Sequence, residues 1–254
     1  MTREHHIEKL AGAGCVYARI AFEAANDYIR NAVFRKNTTI QQLEDAAFWI
    51  KKHGIRLGSL NMLGGPGASL EDDIETVKLN IRCKVDHPLV SIMQPYPEFD
   101  IADMTRDMGY AVAAYDDFPE KFNRTSAIQF ENKLQIENLH KLFPIVVRFP
   151  SLLKVTPWMI RQRWLQKPLL VTYMLFSEYM VAEQARLYSR AQGLKGPRYW
   201  AMTDFAYRLA TKGVLRVYEG VFQRFFERFL SPQRKHRMAV ALQMGDERVV
   251  AHMD

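Results

Sequence analysis

Residues 54–67 constrain this chain most: a short apolar run of Ile55, Leu57, Leu60, Met62 and Leu63, bounded by glycines and followed by the turn Gly64-Gly65-Pro66-Gly67. Such a run predicts a strand covered on both faces, as in a parallel sheet. The glycines allow close approach of backbone or ligand, and Ser69 is a good N-cap for a helix carrying Leu70, Ile74, Val77 and Ile81. Free amides at such a helix start suit an anion. On these residues alone the plainer reading is a tight strand-to-helix connection with no ligand, because a glycine turn is a weak motif.

The flanking sequence repeats the plan. Residues 4–10 read as the end of a helix stopped by Gly12 and Gly14, and residues 15–22 as a strand alternating Val16, Ala18 and Ile20 with Tyr17 and Arg19, ending at Glu23. The C-terminal end of a parallel strand is where ligands of α/β folds bind, although a solvated acid at a loop start reads as well. Residues 26–34 predict a short helix, and Thr39-Ile40-Gln41-Gln42 is a capping box for a second one through Leu43, Ala47 and Ile50, stopped by Gly54. A helix over 69–83, a turn at Asp86-His87-Pro88, a third strand over 89–94 entering Pro95-Tyr96-Pro97, and a helix over 101–108 follow. Three strands about 35 to 40 residues apart, each pair bridged by helical sequence, argue for right-handed βαβ units.

Beyond residue 110 the pattern changes. Residues 110–130 show no period, and Asp116-Asp117-Phe118-Pro119 reads as a loop. From Glu131 the chain is helical but interrupted by Pro144, Pro150, Pro157 and Pro168, and the apolar run 169–176 is too short to span a membrane. Residues 193–197 are a linker candidate before a helix over 199–230, in which Val214, Tyr218, Val221, Phe222, Phe225 and Phe229 form a stripe and Lys212, Arg216, Arg224 and Arg228 lie off it. That helix is either a core helix with a solvated basic face or one lying on a membrane surface. The organisation is residues 1–130, the (β/α) portion; 131–192, a helical extension; and 197–254, a basic helical tail. The fold class is α/β, a partial (β/α) TIM-like barrel of about three parallel strands followed by a mostly α-helical C-terminal region.

Charge and cysteine usage narrow the function classes. The net charge of +7 is uneven, since residues 141–254 hold 19 Lys and Arg against 8 Asp and Glu. A basic tail attracts anionic lipid, nucleic acid or an acidic protein, and the chain carries no specific nucleic-acid signature. Cys15 and Cys83 form neither a metal cluster nor a disulfide framework. They read as reduced thiols of a cytoplasmic protein, with membrane association as the other reading of the tail. His5, His6, His53, His87 and His140 lack metal-ligand spacing, and neither a nucleophile elbow nor a P-loop occurs.

Three motifs in order, residues 18–30 around Glu23, residues 54–67, and Gln94-Pro95-Tyr96-Pro97, resemble the later strands of radical S-adenosylmethionine (SAM) enzymes, most closely the cobalamin-binding branch. The similarity spans roughly residues 1–180. It implies a partial barrel whose strand ends bind SAM, with Glu23 near the ribose or amine, Lys36 near the carboxylate, Asn61, Leu63, Gly64 and Gly65 beside the adenosyl group, and Gln94 and Tyr96 on the substrate side. The same resemblance implies a 4Fe-4S cluster and cobalamin in the intact family member, acting on a small-molecule substrate by methyl transfer or ring rearrangement through a 5′-deoxyadenosyl radical. This chain departs from the pattern. Ala21, Ala24 and Ala25 surround Glu23 where the family has glycine and serine, and the chain has no Cys-x3-Cys-x2-Cys; its two cysteines are too few for a cluster that takes three protein thiolates. It therefore reads as the C-terminal portion of such an enzyme, inactive alone and completed by the missing N-terminal part or another chain. The competing readings are a non-catalytic half-barrel that binds a partner or an anionic membrane through its tail, and a phosphate-binding α/β domain resting on the glycine turn.

Overall fold

The computed structural model describes residues 3–114, 118 and 125–191, which belong to the first of two units, Met1–Met202, into which the chain divides. Most of the loop expected at Asp116, the linker at 193–197 and the basic helix at 199–230 lie outside the described residues. The elements run α1 (Glu4–Gly12), β1 (Tyr17–Glu23), a π-helical turn (Ile29–Val33), α2 (Ile40–Lys52), β2 (Arg56–Leu63), α3 (Leu70–Arg82), β3 (His87–Ile92), α4 (Asp100–Asp107), α5 (Lys133–Arg148), α6 (Thr156–Met159) and α7 (Gln166–Ala191). The three strands form one parallel sheet in the order β1-β2-β3.

Local signals account for the crossover helices. Thr39 and Gln42 close the expected capping box, with the Gln42 amide on Thr39 Oγ1 at 3.2 Å and the Thr39 amide on Gln42 Oε1 at 3.0 Å. Ser69 caps α3 in the same reciprocal way with Asp72. Gly54, at φ +72°, turns the chain out of α2 in the left-handed region that favours glycine. The short helix expected over 26–34 is instead a π turn. The Phe34 amide bonds Ile29 O at 2.9 Å, five residues back, and the wider turn accompanies the burial of Arg30.

The two faces of the sheet differ, which corrects the expectation that β2 is covered evenly. Leu57, Ser59, Asn61 and Leu63 point toward the helical layer, where Ser59 and Asn61 bond Asn80 of α3. Leu60 and Met62 point the other way and are only half-buried. That second face is met by α7 at the strands' N-terminal end: Glu183 lies 3.2 Å from His87 Nε2, and Gln184 donates to the Tyr17 hydroxyl. Gly58 makes room for the Tyr17 ring, whose hydroxyl would lie 2.0 Å from a Cβ there. Desolvation lowers the pKa of His87, against the attraction of Glu183, which favours the neutral ring.

At the same end, Asp86 joins three elements. Its carboxylate accepts from Lys51 Nζ of α2 at 2.7 Å, Arg56 Nη1 at 2.6 Å and the Leu57 amide at 2.8 Å. One apolar core contains Leu57, Leu63, Val90, Leu139, Phe143 and Leu169, so α5 and α7 pack with the sheet. Pro144 does not interrupt α5. Pro150 and Pro157 sit at the starts of short helical turns and Pro168 in the first turn of α7, where a missing amide hydrogen is least costly. Among the described residues no helix is long and apolar enough to cross a membrane.

Candidate functional site

The site grows from the end of β1. Its pairing with β2 slips between Ala21 and Glu23, and Glu23 takes φ +59°, an uncommon conformation for a residue with a Cβ. The slip leaves the Glu23 carboxylate nearly buried, with Oε1 2.9 Å from Lys36 Nζ, which is more exposed. The chain beyond is pinned to α3: the Ala25 amide donates to Thr76 Oγ1 at 2.9 Å and the Asn26 amide group to Asp72 Oδ1 at 2.7 Å.

Arg30 organises this loop from beneath. Its fully buried guanidinium donates to Thr38 O at 2.8 Å, Ala24 O at 3.0 Å and Ala25 O at 3.2 Å, and it also pairs with Asp27. Asn31 exchanges two bonds of 3.0 Å with the Thr38 backbone. The segment between them is thereby closed into a loop that presents Arg35 and Lys36.

Glu23 and Lys36 line a cleft of about 640 Å³ at the C-terminal ends of the strands. Val33, Phe34, Met62 and Met93 give it an apolar wall, and Gln94, Tyr96, Glu98 and Asp100 also border it. Arg35 is paired with Asp100. Glu23, Arg35 and Glu98 all have left-handed φ, and backbone strain of this kind collects at functional sites.

Of the residues expected from sequence, Glu23, Lys36, Gln94 and Tyr96 come together on this cleft, while Asn61, Leu63, Gly64 and Gly65 are not among its lining residues. Strand parity explains Asn61 and Leu63, which face the helical layer. Asn61 Nδ2 donates to Ser59 Oγ at 2.8 Å and Leu89 O at 3.0 Å, and its Oδ1 accepts from Asn80 at 2.7 Å. Gly64 and Gly65 lie under side chains: a Cβ at Gly64 would meet Phe130, and one at Gly65 would meet Ile29 and Phe34, each at 3.0 Å. Gln94 already accepts from the Ala127 amide at 3.0 Å and donates to Thr125 O, so it also fastens the following segment. Met62, Met93, Phe34 and Arg30 were not among the expected site residues, although Met62 reads as part of the apolar strand and Arg30 lies in the motif around Glu23. Period two could have found Met62, because it alternates with the polar, buried Ser59 and Asn61.

The start of α3 supplies its own anions. Its first turn holds the charged Glu71 and Asp72 beside the buried Asp73, and those two charges weigh against a phosphate there. Burial pushes the Asp73 carboxyl up to about 8, although the Gly64 amide bonds both its oxygens at 3.2 Å. Because the folded pKa is raised, this group's stabilisation is complete below about pH 4 and is lost as pH rises through about 8. Between pH 7 and 8 the wild type should lose on the order of 1 kcal/mol, a fall in Tm of about 2–4 °C. Asp73→Asn should flatten that slope in thermal melts; an unchanged slope would assign it to another group.

Among the described residues no group of three or more His, Cys, Asp or Glu could hold a metal ion. Burial raises the Cys83 thiol to about 12, which makes it a poor ligand. No curated protein matches the chain. Residues 1–79, the span that carries Glu23, Arg30, Lys36 and Met62, match the family model of the radical SAM superfamily.

Proposed function

We propose that this chain carries the SAM-binding strand ends of a radical SAM protein, with Glu23 and Lys36 as the polar grip on the cofactor. The observation that carries the reading is the Glu23–Lys36 pair, 2.9 Å apart, on a cleft at the parallel strands' C-terminal ends and within the residues that match the superfamily model. SAM offers both signs of charge. The Glu23 carboxylate suits its hydroxyls or ammonium, and Lys36 suits its carboxylate. Phe34, Met62 and Met93 supply the apolar surface that a purine or a methionyl chain would cover.

The 4Fe-4S cluster of the family does not fit this chain. Two cysteines cannot provide three thiolates, and no metal-holding group occurs among the described residues. If a cluster completes the site, its ligands come from outside these 254 residues. Placement in the cobalamin-dependent branch, with methyl transfer or ring rearrangement as the reaction, rests on the motif resemblance alone. The thiol shortage also favours a second reading, a non-catalytic protein that keeps the cleft.

Isothermal titration of the 254-residue chain with SAM tests the proposal. Saturable binding is expected, weakened about ten- to a hundredfold in Glu23→Gln, the worth of a hydrogen bond to a charged group. Equal affinity in that variant would remove Glu23 from the site. No binding by folded wild type would favour the non-catalytic reading.

A further inference from the structure

We propose that the surface at the α5–α7 junction docks the protein on an anionic lipid bilayer. From Asn138 to Ser177 the sequence contains no Asp or Glu and six Lys and Arg. Five of the six, Arg148, Lys154, Arg161, Arg163 and Lys167, are exposed, and none is ion-paired with a described residue. A stretch of forty residues with cations and no acidic residue of its own carries a positive potential that suits an anionic surface.

Large aromatic rings stand among those cations. Trp164 is 66% exposed, Trp158 56% and Phe149 52%, the tryptophans in two different short turns and Phe149 at the end of α5. The exposure does not come from a loose chain. Thr156 and Ile160 between them are fully buried, and Asn138 of α5 donates to Ile160 O at 3.0 Å. The fold thus holds the backbone of these turns in place and presents Arg148 with Phe149, Arg161 after Trp158, and Trp164 between Arg163 and Lys167. Rings that sit at the boundary of headgroup and acyl chain, with cations reaching phosphate, are the composition of a membrane-surface site.

Single-stranded nucleic acid also takes rings and cations, but it rewards ring stacking. Here the aliphatic residues Val155, Val171 and Leu175 are exposed as well, and acyl chains reward aliphatic area where bases do not. Contact is peripheral, because none of the described helices can cross a membrane. The surface also lies away from the cleft. Ile136 of α5 reaches the position a Cβ on Gly64 would face, while His140 bonds Val90 O within β3 at 3.1 Å, so α5 runs from the cleft end toward the opposite end. Arg148 and the turns beyond it follow that direction.

The test uses the full chain in flotation with phosphatidylcholine vesicles, with and without phosphatidylglycerol. Binding is expected only with the anionic lipid, and the combined Arg161→Glu, Arg163→Glu, Lys167→Glu variant should lose at least tenfold. Reversing Arg216, Arg224 and Arg228 instead should leave flotation in place. Wild-type tryptophan emission should be quenched by brominated lipid, and the quenching should fall sharply in the Trp158→Ser, Trp164→Ser double variant. The wild-type quenching needs no variant to fold, so its absence overturns the proposal by itself. Equal flotation of the triple variant, loss of flotation only in the tail variant, equal binding to neutral vesicles, or preference for a single-stranded oligonucleotide over vesicles would each overturn it too.

Discussion

Arg30→Ala should destabilise the protein by about 3–5 kcal/mol, the cost of breaking a buried charged network by removing one partner. The guanidinium is fully buried and satisfies three backbone carbonyls, Thr38 O, Ala24 O and Ala25 O. Truncation leaves those acceptors without their donor and opens a cavity the size of an arginine, two penalties that act together. Asp27 contributes little to the loss, because its side chain is 74% exposed. A lysine should rescue only part of the effect, since one ammonium cannot span the fork that reaches both sides of the loop. Urea denaturation measures both variants: the midpoint should fall with the slope unchanged. A loss below about 1 kcal/mol for Arg30→Ala would mean that water replaces the guanidinium without cost. The effect bears on the cleft, because the bonds to Ala24 and Ala25 hold the residues after Glu23, and the bond to Thr38 closes the loop that carries Lys36.

Arg30 also shows where sequence reading stops. The three strands, helices α2 and α3 and both N-caps were legible because each depends on residues within one or two turns of one another: Thr39 with Gln42, Ser69 with the helix it starts, Gly54 with α2. Strand β3, however, begins at His87, inside what read as a turn, and ends at Ile92. The position of Glu23 at a strand end followed from the same local alternation. What was not legible depends on partners far away in the chain. Whether Asn61 or Met62 faces the cleft is decided by which face of β2 takes α3 and which meets α7, and Glu183 and Gln184 of that helix lie more than one hundred residues beyond. The glycine turn left open whether backbone or a ligand makes the close approach, with a plain connection the simpler reading, and it is Phe130 and Phe34 that fill the space above it. An arginine in a short helical segment resembles any surface arginine until the fold closes over it.

Asp86→Ala should cost about 2–3 kcal/mol at neutral pH, less than a fully buried pair because Lys51 and Arg56 keep part of their hydration. Their side chains are 29% and 43% exposed, against 7% for Asp86. Burial alone would raise the pKa of this carboxyl, but the bonds from Lys51, the Leu57 amide and Arg56 outweigh it and hold the group below the usual carboxylate range. A lowered folded pKa means that the stabilisation is present above about pH 4 and is lost as pH falls through the folded value. The gap between wild type and Asp86→Ala should therefore narrow in acid, whereas a packing defect would keep it constant. Asp86→Asn separates the contributions further, because its carbonyl can still accept from Leu57 while both ion pairs are lost, and it should fall between the two. Since Asp86 joins α2, β2 and the start of β3 at the end of the sheet away from Glu23, a ligand in the cleft should bind the folded variant with wild-type affinity. The same ligand should bind folded Arg30→Ala more weakly, which distinguishes a clamp on the sheet from a support of the site.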